Sequence, residues 1–179
     1  NKKLIGVRDP LGIRPLVIGQ LNGKYILASE TCALDIIDAT FFREVENGEI
    51  VVITQDGIES IKPFPPVKPR PCIFEYIYFA RPDSVAGGLS VYECRKSFGR
   101  QLAKESHMDA DLVIPVPDSG VPAAIGYAEA SNTPFELGII RNHYVGRTFI
   151  EPTQTIRAFS VKLKHNANRI LVDKKRVIL

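Results

Sequence analysis

The sequence predicts a mixed α/β fold in which a β-rich module is followed by an α/β region with a parallel sheet. Three observations predict it: short apolar segments separated by turn residues, then a proline-rich stretch, then apolar runs that alternate with segments of helical period. The 179 residues, of which 45% are hydrophobic and 24% charged, are enough for one domain or two small ones.

The β-rich module, residues 1–62, is predicted from four segments of strand-forming residues. In order they are KLIGVRD, RPLVIG, KYILAS and EIVVIT. Asn22-Gly23 and Asp56-Gly57 stand at hairpin positions. The first segment begins within a few residues of Asn1 and no methionine opens the chain, so we expect the parent protein to begin earlier.

A proline-rich linker is predicted over residues 63–71. Its prolines exclude regular helix and central strand, and they favour extended, polyproline-like chain; they are Pro63, Pro65, Pro66, Pro69 and Pro71. We place the boundary between the two modules here. The following segment, CIFEYIYFA, is continuously apolar and aromatic, so that a buried strand and a short helix both remain open.

The α/β region, residues 72–179, is predicted from a change of period at Ser90. Apolar residues at spacings of three and four indicate an amphipathic helix that ends near Ser106: Val91, Cys94, Phe98, Leu102 and Ala103. Next we predict a strand in LVIPV, a turn in PDSG, a helix in PAAIGYAEA with Pro122 in its first turn, and a strand in FELGII. This β-α-β order indicates a parallel sheet. KKRVIL predicts the start of another buried strand, after which we expect the parent protein to continue.

Composition excludes several classes of protein. No apolar run approaches the roughly 20 residues that span a bilayer, and the opening lacks the features of a signal peptide, which predicts a cytoplasmic protein. Cys32, Cys72 and Cys94 are too widely spaced for a CxxC metal pair or a disulfide framework, so reduced thiols are expected. Residues 141–179 contain nine Lys or Arg against two acids. This segment suits an anionic partner, a phosphate ester or a nucleic acid, or else a solvated surface.

The PDSG turn is the first candidate site. A strand, a tight turn and a helix start place free N–H groups of the helix N-terminus at the turn, where they favour an anion. Ser119 adds a hydroxyl and Asp118 adds a carboxylate. The alternative is that these side chains only cap the helix.

The second candidate site is the segment RNHYVGRTFIEPTQTIR, seventeen residues with no clean period. Loops of this length in compact domains are usually functional or disordered. Arg141, Arg147 and Arg157 can bind phosphate, Tyr144 can stack or donate a hydrogen bond, and Gly146 can act as a hinge. We predict a loop that closes on a ligand, and the alternative is an exposed basic loop without one.

Several segments occur in the order found in one enzyme family. They are RDPLGIRPL, ASETCALD, EYIYFARPDS, DADLVIPVPDSG, GYAEAS and NHYVGRTFIEPTQ, and together they span nearly the whole chain. The chain resembles the amidophosphoribosyltransferases. RDPLGIRPL also occurs in several class II glutamine amidotransferases, including asparagine synthetases, whereas EYIYFARPDS with YVGRTFI is close to specific for this family.

The resemblance implies two enzyme domains. Residues 1–62 would be the latter part of an N-terminal-nucleophile (Ntn) glutaminase domain, which hydrolyses glutamine to glutamate and ammonia. Residues 72–179 would be the start of a type I phosphoribosyltransferase domain, a pentosyltransferase in which ammonia displaces pyrophosphate from 5-phosphoribosyl 1-pyrophosphate to give 5-phosphoribosylamine. This step opens purine synthesis. Mg²⁺, feedback inhibition by purine nucleotides and a homo-oligomer are also implied, with neither a nucleic acid nor a membrane as partner.

The resemblance also assigns roles to residues. The PDSG turn corresponds to the loop at the pyrophosphate, with Ser119 at the Mg²⁺ position, and NHYVGRTFIEP corresponds to the flexible loop that closes over substrate and helps to form the ammonia passage. Arg141 stands where many members have lysine, which keeps the charge and changes its geometry. The implied substrate-binding residues are Asp118, Ser119, Gly120, Arg141, Tyr144, Arg147 and Thr148.

Some members of the family bind a [4Fe-4S] cluster, and Cys72 occupies the position of their first cluster cysteine. Other members keep this cysteine without a cluster. A cluster usually needs four thiolates, and the other family positions lie beyond residue 179. We therefore expect Cys72 to be a buried structural thiol, with an iron–sulfur ligand as the alternative, and Cys32 and Cys94 to lie on helix faces.

Two departures from the family predict that this chain is inactive by itself. The family's nucleophile is a mature N-terminal cysteine whose α-amino group is the base, and here the first residue is Asn1. No catalytic residue is predicted in residues 1–62, where Arg8, Asp9 and Glu30 are interpreted as structural supports. The paired aspartates and the Ser/Thr/Gly-rich turn that follow KKRVIL in the family are not in this sequence. The alternatives are a noncatalytic protein that binds phosphorylated ligands through PDSG and the basic loop, or a nucleic acid-binding protein.

Overall fold

The computed structural model describes residues 2–179. Asn1, the residue on which the predicted absence of an N-terminal nucleophile rests, lies outside the described residues. As predicted, the fold is mixed α/β, with small sheets. The chain divides between Cys94 and Arg95 into two compact units, which we describe separately.

The first unit contains two antiparallel three-stranded sheets. The elements are β1 Leu4–Val7, β2 Val17–Leu21, β3 Lys24–Ala28, α1 Cys32–Asp35, β4 Thr40–Glu44, β5 Ile50–Thr54 and β6 Gly57–Ile61. One sheet has the order β3-β2-β4 and the other β1-β5-β6. The four predicted strands are confirmed as β1, β2, β3 and β5, and β4 and β6 are additional.

Both predicted hairpins form, with one difference in register. Asn22 and Gly23 join β2 to β3 with φ values of 50° and 74°, the positive pair that a type I′ turn requires. In the second hairpin Thr54 pairs with Gly57, so Gln55 and Asp56 make the turn and Gly57 is already part of β6. The prediction of Asp56-Gly57 as the turn is therefore wrong by one residue.

Strand β2 supplies the core of this unit on both faces. Successive strand residues point to opposite sides, and here Val17 and Ile18 are 1% and 0% exposed. Val17 packs with Leu34 of α1, while Ile18 packs with Val51 of β5. Burying each such side chain stabilises the fold by roughly 1.5–3 kcal/mol. Because β2 is apolar on both faces, it contributes to the two hydrophobic clusters on either side of it.

The proline-rich linker has no helix or strand, as predicted. The CIFEYIYFA segment is helical, because Glu75–Phe79 forms a π-helical turn in which Ala80 N donates to the Glu75 carbonyl at 3.1 Å. A small hairpin follows, formed by β7 Val85–Ala86 and β8 Leu89–Ser90. The first compact unit thus extends past the linker to Cys94, and the domain boundaries 1–62, 63–71 and 72–179 stay a prediction.

The second unit contains the remaining helices and strands. Helix α2, Val91–Glu105, crosses the division between the units. It is followed by β9 Leu112–Val113, α3 Val121–Ser131, β10 Ile139–Arg141, α4 Gln154–Lys164, β11 His165–Ala167, α5 Arg169–Val172 and β12 Val177–Ile178. The predictions of α2 and α3 are confirmed. LVIPV and FELGII form shorter strands than predicted, and α4 was not predicted.

The parallel pairing predicted for this region is present around β9. Strand β12 pairs with β9 in parallel, and Phe135 makes a parallel bridge to Val113. Strand β10 instead pairs antiparallel with β11, so the prediction of a parallel partner is wrong for the end of FELGII.

Helices α2 and α3 pack with their backbones in contact. A Cβ atom on Gly99 would collide with the carbonyl oxygen of Ala123, and one on Gly126 would collide with that of Lys96. Both glycines lie inside helices, where glycine is otherwise unfavourable by roughly 0.5–1 kcal/mol relative to alanine. This close crossing fixes helix α3, whose N-terminus forms the candidate site.

Candidate functional site

The PDSG turn joins β9 to α3 in a tight conformation. Gly120 N donates to the Val116 carbonyl at 3.2 Å, and Val121 N donates to the Asp118 carbonyl at 3.2 Å. A Cβ atom on Gly120 would lie 2.8 Å from the Val116 oxygen, so the turn requires glycine there because the backbones approach closely.

Among residues 2–179, no side chain caps helix α3. Gly120 is the N-cap residue and makes no side-chain cap hydrogen bond, so Asp118 and Ser119 are not capping residues and the cap-only alternative is wrong. Within residues 2–179 the N–H groups of Ser119 and Ala123 donate to no other protein atom. Free N–H groups at the positive end of a helix attract anions.

Arg141 places a cation at this turn. It is the last residue of β10, in register with His165 of β11, and its Nη1 pairs with the Asp118 carboxylate. Its Nε is buried and has no hydrogen-bond partner among the described residues. The structure therefore brings Arg141 together with Asp118, on the same turn as Ser119 and Gly120.

The loop of residues 142–153 is not brought into contact with the turn. Among residues 2–179, no hydrogen bond or ion pair joins Tyr144, Arg147 or Thr148 to the PDSG turn. Tyr144 is 102% exposed, whereas Thr148 is 3% exposed. A Cβ atom on Gly146 would meet no atom within 4 Å, and the hinge role of this glycine stays a prediction.

Arg157 belongs to helix α4 and not to the irregular loop that was predicted. Thr153 caps this helix by accepting a hydrogen bond from Ile156 N at 3.3 Å. Arg157 Nη1 donates to the Glu151 carbonyl at 2.9 Å, and its Nη2 donates to Gln154 at 3.0 Å. The guanidinium is therefore occupied at the start of its own helix.

Two oxygen-bearing side chains on the turn are suitable for Mg²⁺. Ser119 is exposed, and the side chain of Asp118 is 56% exposed. Mg²⁺ commonly takes one or two carboxylates together with water and substrate phosphates. Within residues 2–179 no group of three His, Cys, Asp or Glu side chains could hold a metal ion. Ser119 and Asp118 would therefore supply at most two oxygen ligands to a Mg²⁺ ion, and its remaining ligands would have to come from substrate phosphate and water.

Cys72 lies in a different place, in the first unit. It is half-buried, less than predicted, and lines a cavity of about 280 Å³ with Arg8, Glu75 and Tyr76. Burial raises the pKa of the Glu75 carboxyl, and the ion pair with Arg14 opposes this shift. In the part of the chain that the structure describes, no group of thiols fits a four-thiolate cluster.

The other two cysteines lie on helices, as predicted. Cys32 is buried in α1, and Cys94 is half-buried in α2.

The three residues predicted to be structural supports, Arg8, Asp9 and Glu30, each accept or donate hydrogen bonds within the first unit. Arg8 Nη1 donates to the Val45 carbonyl at 2.7 Å. Asp9 accepts from Leu11 N at 2.9 Å and from Ile13 N at 3.0 Å.

The carboxylate of Glu30 accepts from Arg81 N at 2.7 Å and from Ser84 Oγ at 2.9 Å. The buried acid Glu75 was not among the predicted residues, although an acid inside an apolar run is a usable signal.

Comparison with known proteins identifies relatives over nearly the whole chain. No family model matches it. The amidophosphoribosyltransferase of Rhizobium etli is 65% identical over 182 residues, which cover 99% of this chain and 37% of the relative. The chloroplastic amidophosphoribosyltransferase of Glycine max is 56% identical over 178 residues, which cover 99% of this chain and 31% of the relative.

A solved structure shares the fold. The glutamine phosphoribosylpyrophosphate amidotransferase from B. subtilis, complexed with ADP and GMP, is 49% identical and has a TM-score of 0.89 over 98% of this chain and 39% of that chain. The chain thus spans about a third of the length of the curated relatives it matches. In the described part of the chain, no helix has the length and apolar character needed to span a membrane.

Proposed function

Since this chain belongs to the amidophosphoribosyltransferases, of whose length it spans about a third, we propose that it forms part of an enzyme that transfers ammonia from glutamine to 5-phosphoribosyl 1-pyrophosphate. The product is 5-phosphoribosylamine, and the reaction opens purine synthesis. The observation that carries this proposal is the 65% identity to the Rhizobium etli relative over 99% of the chain.

The two parts of the chain then have separate roles. Residues 1–62 are the end of an Ntn glutaminase domain, a role supported by the antiparallel strands β1 to β6. Residues 72–179 begin a type I phosphoribosyltransferase domain, which is supported by the parallel pairing of β12 with β9 and by the turn from β9 into α3.

In this proposal the PDSG turn and Arg141 bind the pyrophosphate group of the substrate. Ammonia attacks the anomeric carbon, the bond from that carbon to the pyrophosphate oxygen breaks, and negative charge grows on the leaving group. The free N–H groups at the start of α3 and the guanidinium of Arg141 stabilise that charge. The loop of residues 142–153 closes over the site and excludes water.

Mg²⁺, when bound, neutralises the charge of the leaving pyrophosphate. Ser119 and Asp118 are the residues proposed to hold it. A [4Fe-4S] cluster with Cys72 as one ligand is not supported by the residues described. We further propose a homo-oligomer and inhibition by purine nucleotides, in line with the relative solved with ADP and GMP. The proposed location is the cytoplasm. The plant relative from Glycine max is, in contrast, chloroplastic.

A segment exchange tests the proposal. The segment of the Rhizobium etli amidophosphoribosyltransferase that matches this chain is replaced by the chain, and 5-phosphoribosylamine formation is measured with glutamine and with ammonia. We expect both activities to be retained. A folded hybrid without either activity would contradict the proposal and favour the noncatalytic phosphate-binding alternative.

Within the hybrid, Ser119→Ala tests the site itself. We expect the ammonia-dependent rate to fall on the order of tenfold or more, because a group that positions Mg²⁺ and pyrophosphate is lost. Ser97→Ala, on the exposed face of α2, is the matched control and should leave the rate unchanged. The isolated chain of 179 residues is expected to show neither activity.

A further inference from the structure

We propose that the ion pair between Arg141 and Asp118 is a latch that an anionic ligand must open. In this structure the Asp118 carboxylate pairs with the guanidinium of Arg141 at the PDSG turn. A phosphate-bearing ligand binds by displacing the Asp118 carboxylate from that guanidinium. This inference rests on the proposed function, because the displacing ligand is the phosphate group expected at the turn.

The pair is not required by the secondary structure around it. Asp118 does not cap α3, whose N-cap residue is Gly120. Arg141 is held in its strand by backbone pairing with β11, and Asn142 N donates to the Lys164 carbonyl at 2.7 Å. The backbone of Arg141 therefore stays fixed when its side chain changes partner.

The pair is also incomplete. Arginine binds carboxylates and phosphates best through two parallel hydrogen bonds, but here only Nη1 is engaged and Nε is buried without a partner among the described residues. A buried donor without an acceptor is unfavourable. A phosphate group offers several oxygens and can satisfy Nη1 and Nε together, which the present contact with Asp118 does not.

Asp118 is suited to release its partner. Its side chain is 56% exposed, so the carboxylate can return to water, whereas the side chain of Arg141 is 29% exposed and stays at the turn. Once an anion occupies the turn, the carboxylate of Asp118 is a like charge at short range. Asp118 thus opposes anion binding twice, by occupying Arg141 and by repelling the ligand.

The affinity for inorganic pyrophosphate tests whether the ion pair between Arg141 and Asp118 opposes anion binding. Inorganic pyrophosphate is titrated into the chain by calorimetry in metal-free buffer with EDTA, so that Asp118 cannot act as a Mg²⁺ ligand. We expect Asp118→Asn to bind pyrophosphate about five- to tenfold more tightly than the wild type, since one opposing charge is removed. Arg141→Gln is expected to bind it at least tenfold more weakly.

The two variants break the same ion pair, so a purely structural role would shift both affinities in the same direction. Glu59→Gln, an exposed position of β6, controls for the change in net charge and should bind like the wild type. Circular dichroism confirms that each variant is folded.

The outcomes separate this inference from the proposed function. If the wild type binds pyrophosphate and Asp118→Asn does not bind it more tightly, the latch is wrong and the anion site stands. If neither the wild type nor Asp118→Asn binds pyrophosphate, the anion site at the turn and the latch are both wrong. Binding that is detectable only in Asp118→Asn supports the latch in its strongest form.

Discussion

Glu49 is a carboxylate held inside the first unit by four donors. It is 1% exposed and accepts hydrogen bonds from Arg43 at 2.7 and 2.9 Å, from Ser60 Oγ at 2.6 Å and from Glu46 N at 2.6 Å. The hydrogen bonds from Arg43 are the main cause that lowers the pKa of Glu49 from 4.5 to about 2, against the opposing effect of burial. The charged form is therefore the one that the fold stabilises.

This shift predicts a loss of stability in acid. Because the folded pKa lies below the unfolded one, the contribution of Glu49 is present above pH 4.5 and is lost as the pH falls toward 2. It amounts to about 3 kcal/mol at neutral pH. Urea unfolding of the wild type and of Glu49→Gln between pH 7 and pH 2.5 measures it.

Glu49→Gln is expected to be less stable at pH 7 and to lose less stability as the pH falls. The exposed acid Glu59, changed to Gln, should reproduce the wild-type pH dependence. If the free energy of unfolding fell with pH to the same extent in the wild type and in Glu49→Gln, the lowered pKa would not belong to Glu49.

The sequence predicted individual site residues but not their partners. Asp118 and Arg141 were both identified, the first from a turn and the second from a basic segment. Their ion pair joins residues 23 positions apart and depends on where β10 ends. Local patterns of residue type carry no information on such a contact.

At the scale of elements, the crossing of α2 and α3 gives a sharp test. Gly126→Ala places a methyl group against the carbonyl oxygen of Lys96, so one helix must move. We expect a loss of about 1–3 kcal/mol in the free energy of unfolding, measured in urea. Gly146→Ala is the matched control, because a Cβ atom there meets no atom within 4 Å. Equal stability of the two variants would contradict the close crossing.

The segment after the π-helical turn is anchored by Glu30 and Thr31, the two residues that precede α1. Besides the bonds to Glu30, Val85 N donates to Thr31 Oγ1 at 2.8 Å. Glu30→Ala should therefore increase the hydrogen–deuterium exchange of the amides of Arg81 and of residues nearby up to position 87, because a carboxylate that accepts from Arg81 N and Ser84 Oγ is lost. Asp35→Ala, at an exposed position of α1, should leave that exchange unchanged.

The elements that the sequence predicted are those with a clear period or turn signal. Helices α2 and α3 and the hairpins belong to this group. The π-helical turn could not be assigned because every residue around Glu75 is apolar or aromatic. Helix α4 was not predicted although Thr153 is a good N-cap residue, because its first four residues, Gln154 to Arg157, belong to the segment that predicts a long loop. Ile156, one of these four, is exposed on the helix.

At the scale of the whole chain, the extent of the first compact unit predicts how the chain can be divided. A piece ending at Cys94 keeps the hydrogen bonds that residues 70–87 make with residues 11–44, whereas a piece ending at residue 62 loses them. We expect the longer piece to have the higher midpoint of thermal unfolding, by at least about 5 °C, because a difference of 1 kcal/mol moves the midpoint of a small domain by roughly that much.

The same pair of pieces tests the boundary predicted from the prolines. Circular dichroism during heating gives both midpoints. Equal midpoints would favour the boundary in the linker and would show that residues 70–94 add nothing to the first module. The position of this boundary could not be predicted from the sequence. Prolines indicate irregular backbone, but they do not show which residues the chain contacts after the linker.

Docking of the chain after the linker has a consequence for the order in which the protein assembles. Arg70 N donates to the Leu11 carbonyl at 2.8 Å and Cys72 N to the Ile13 carbonyl at 3.1 Å, and each bond joins positions almost sixty residues apart. The hairpins close over two residues and form within roughly 1–10 μs, while closing so long a loop carries a larger entropic penalty. During synthesis the hairpins therefore emerge and pair first, and Leu11 and Ile13, which lie between β1 and β2, gain these two hydrogen bonds only after residue 72 has left the ribosome.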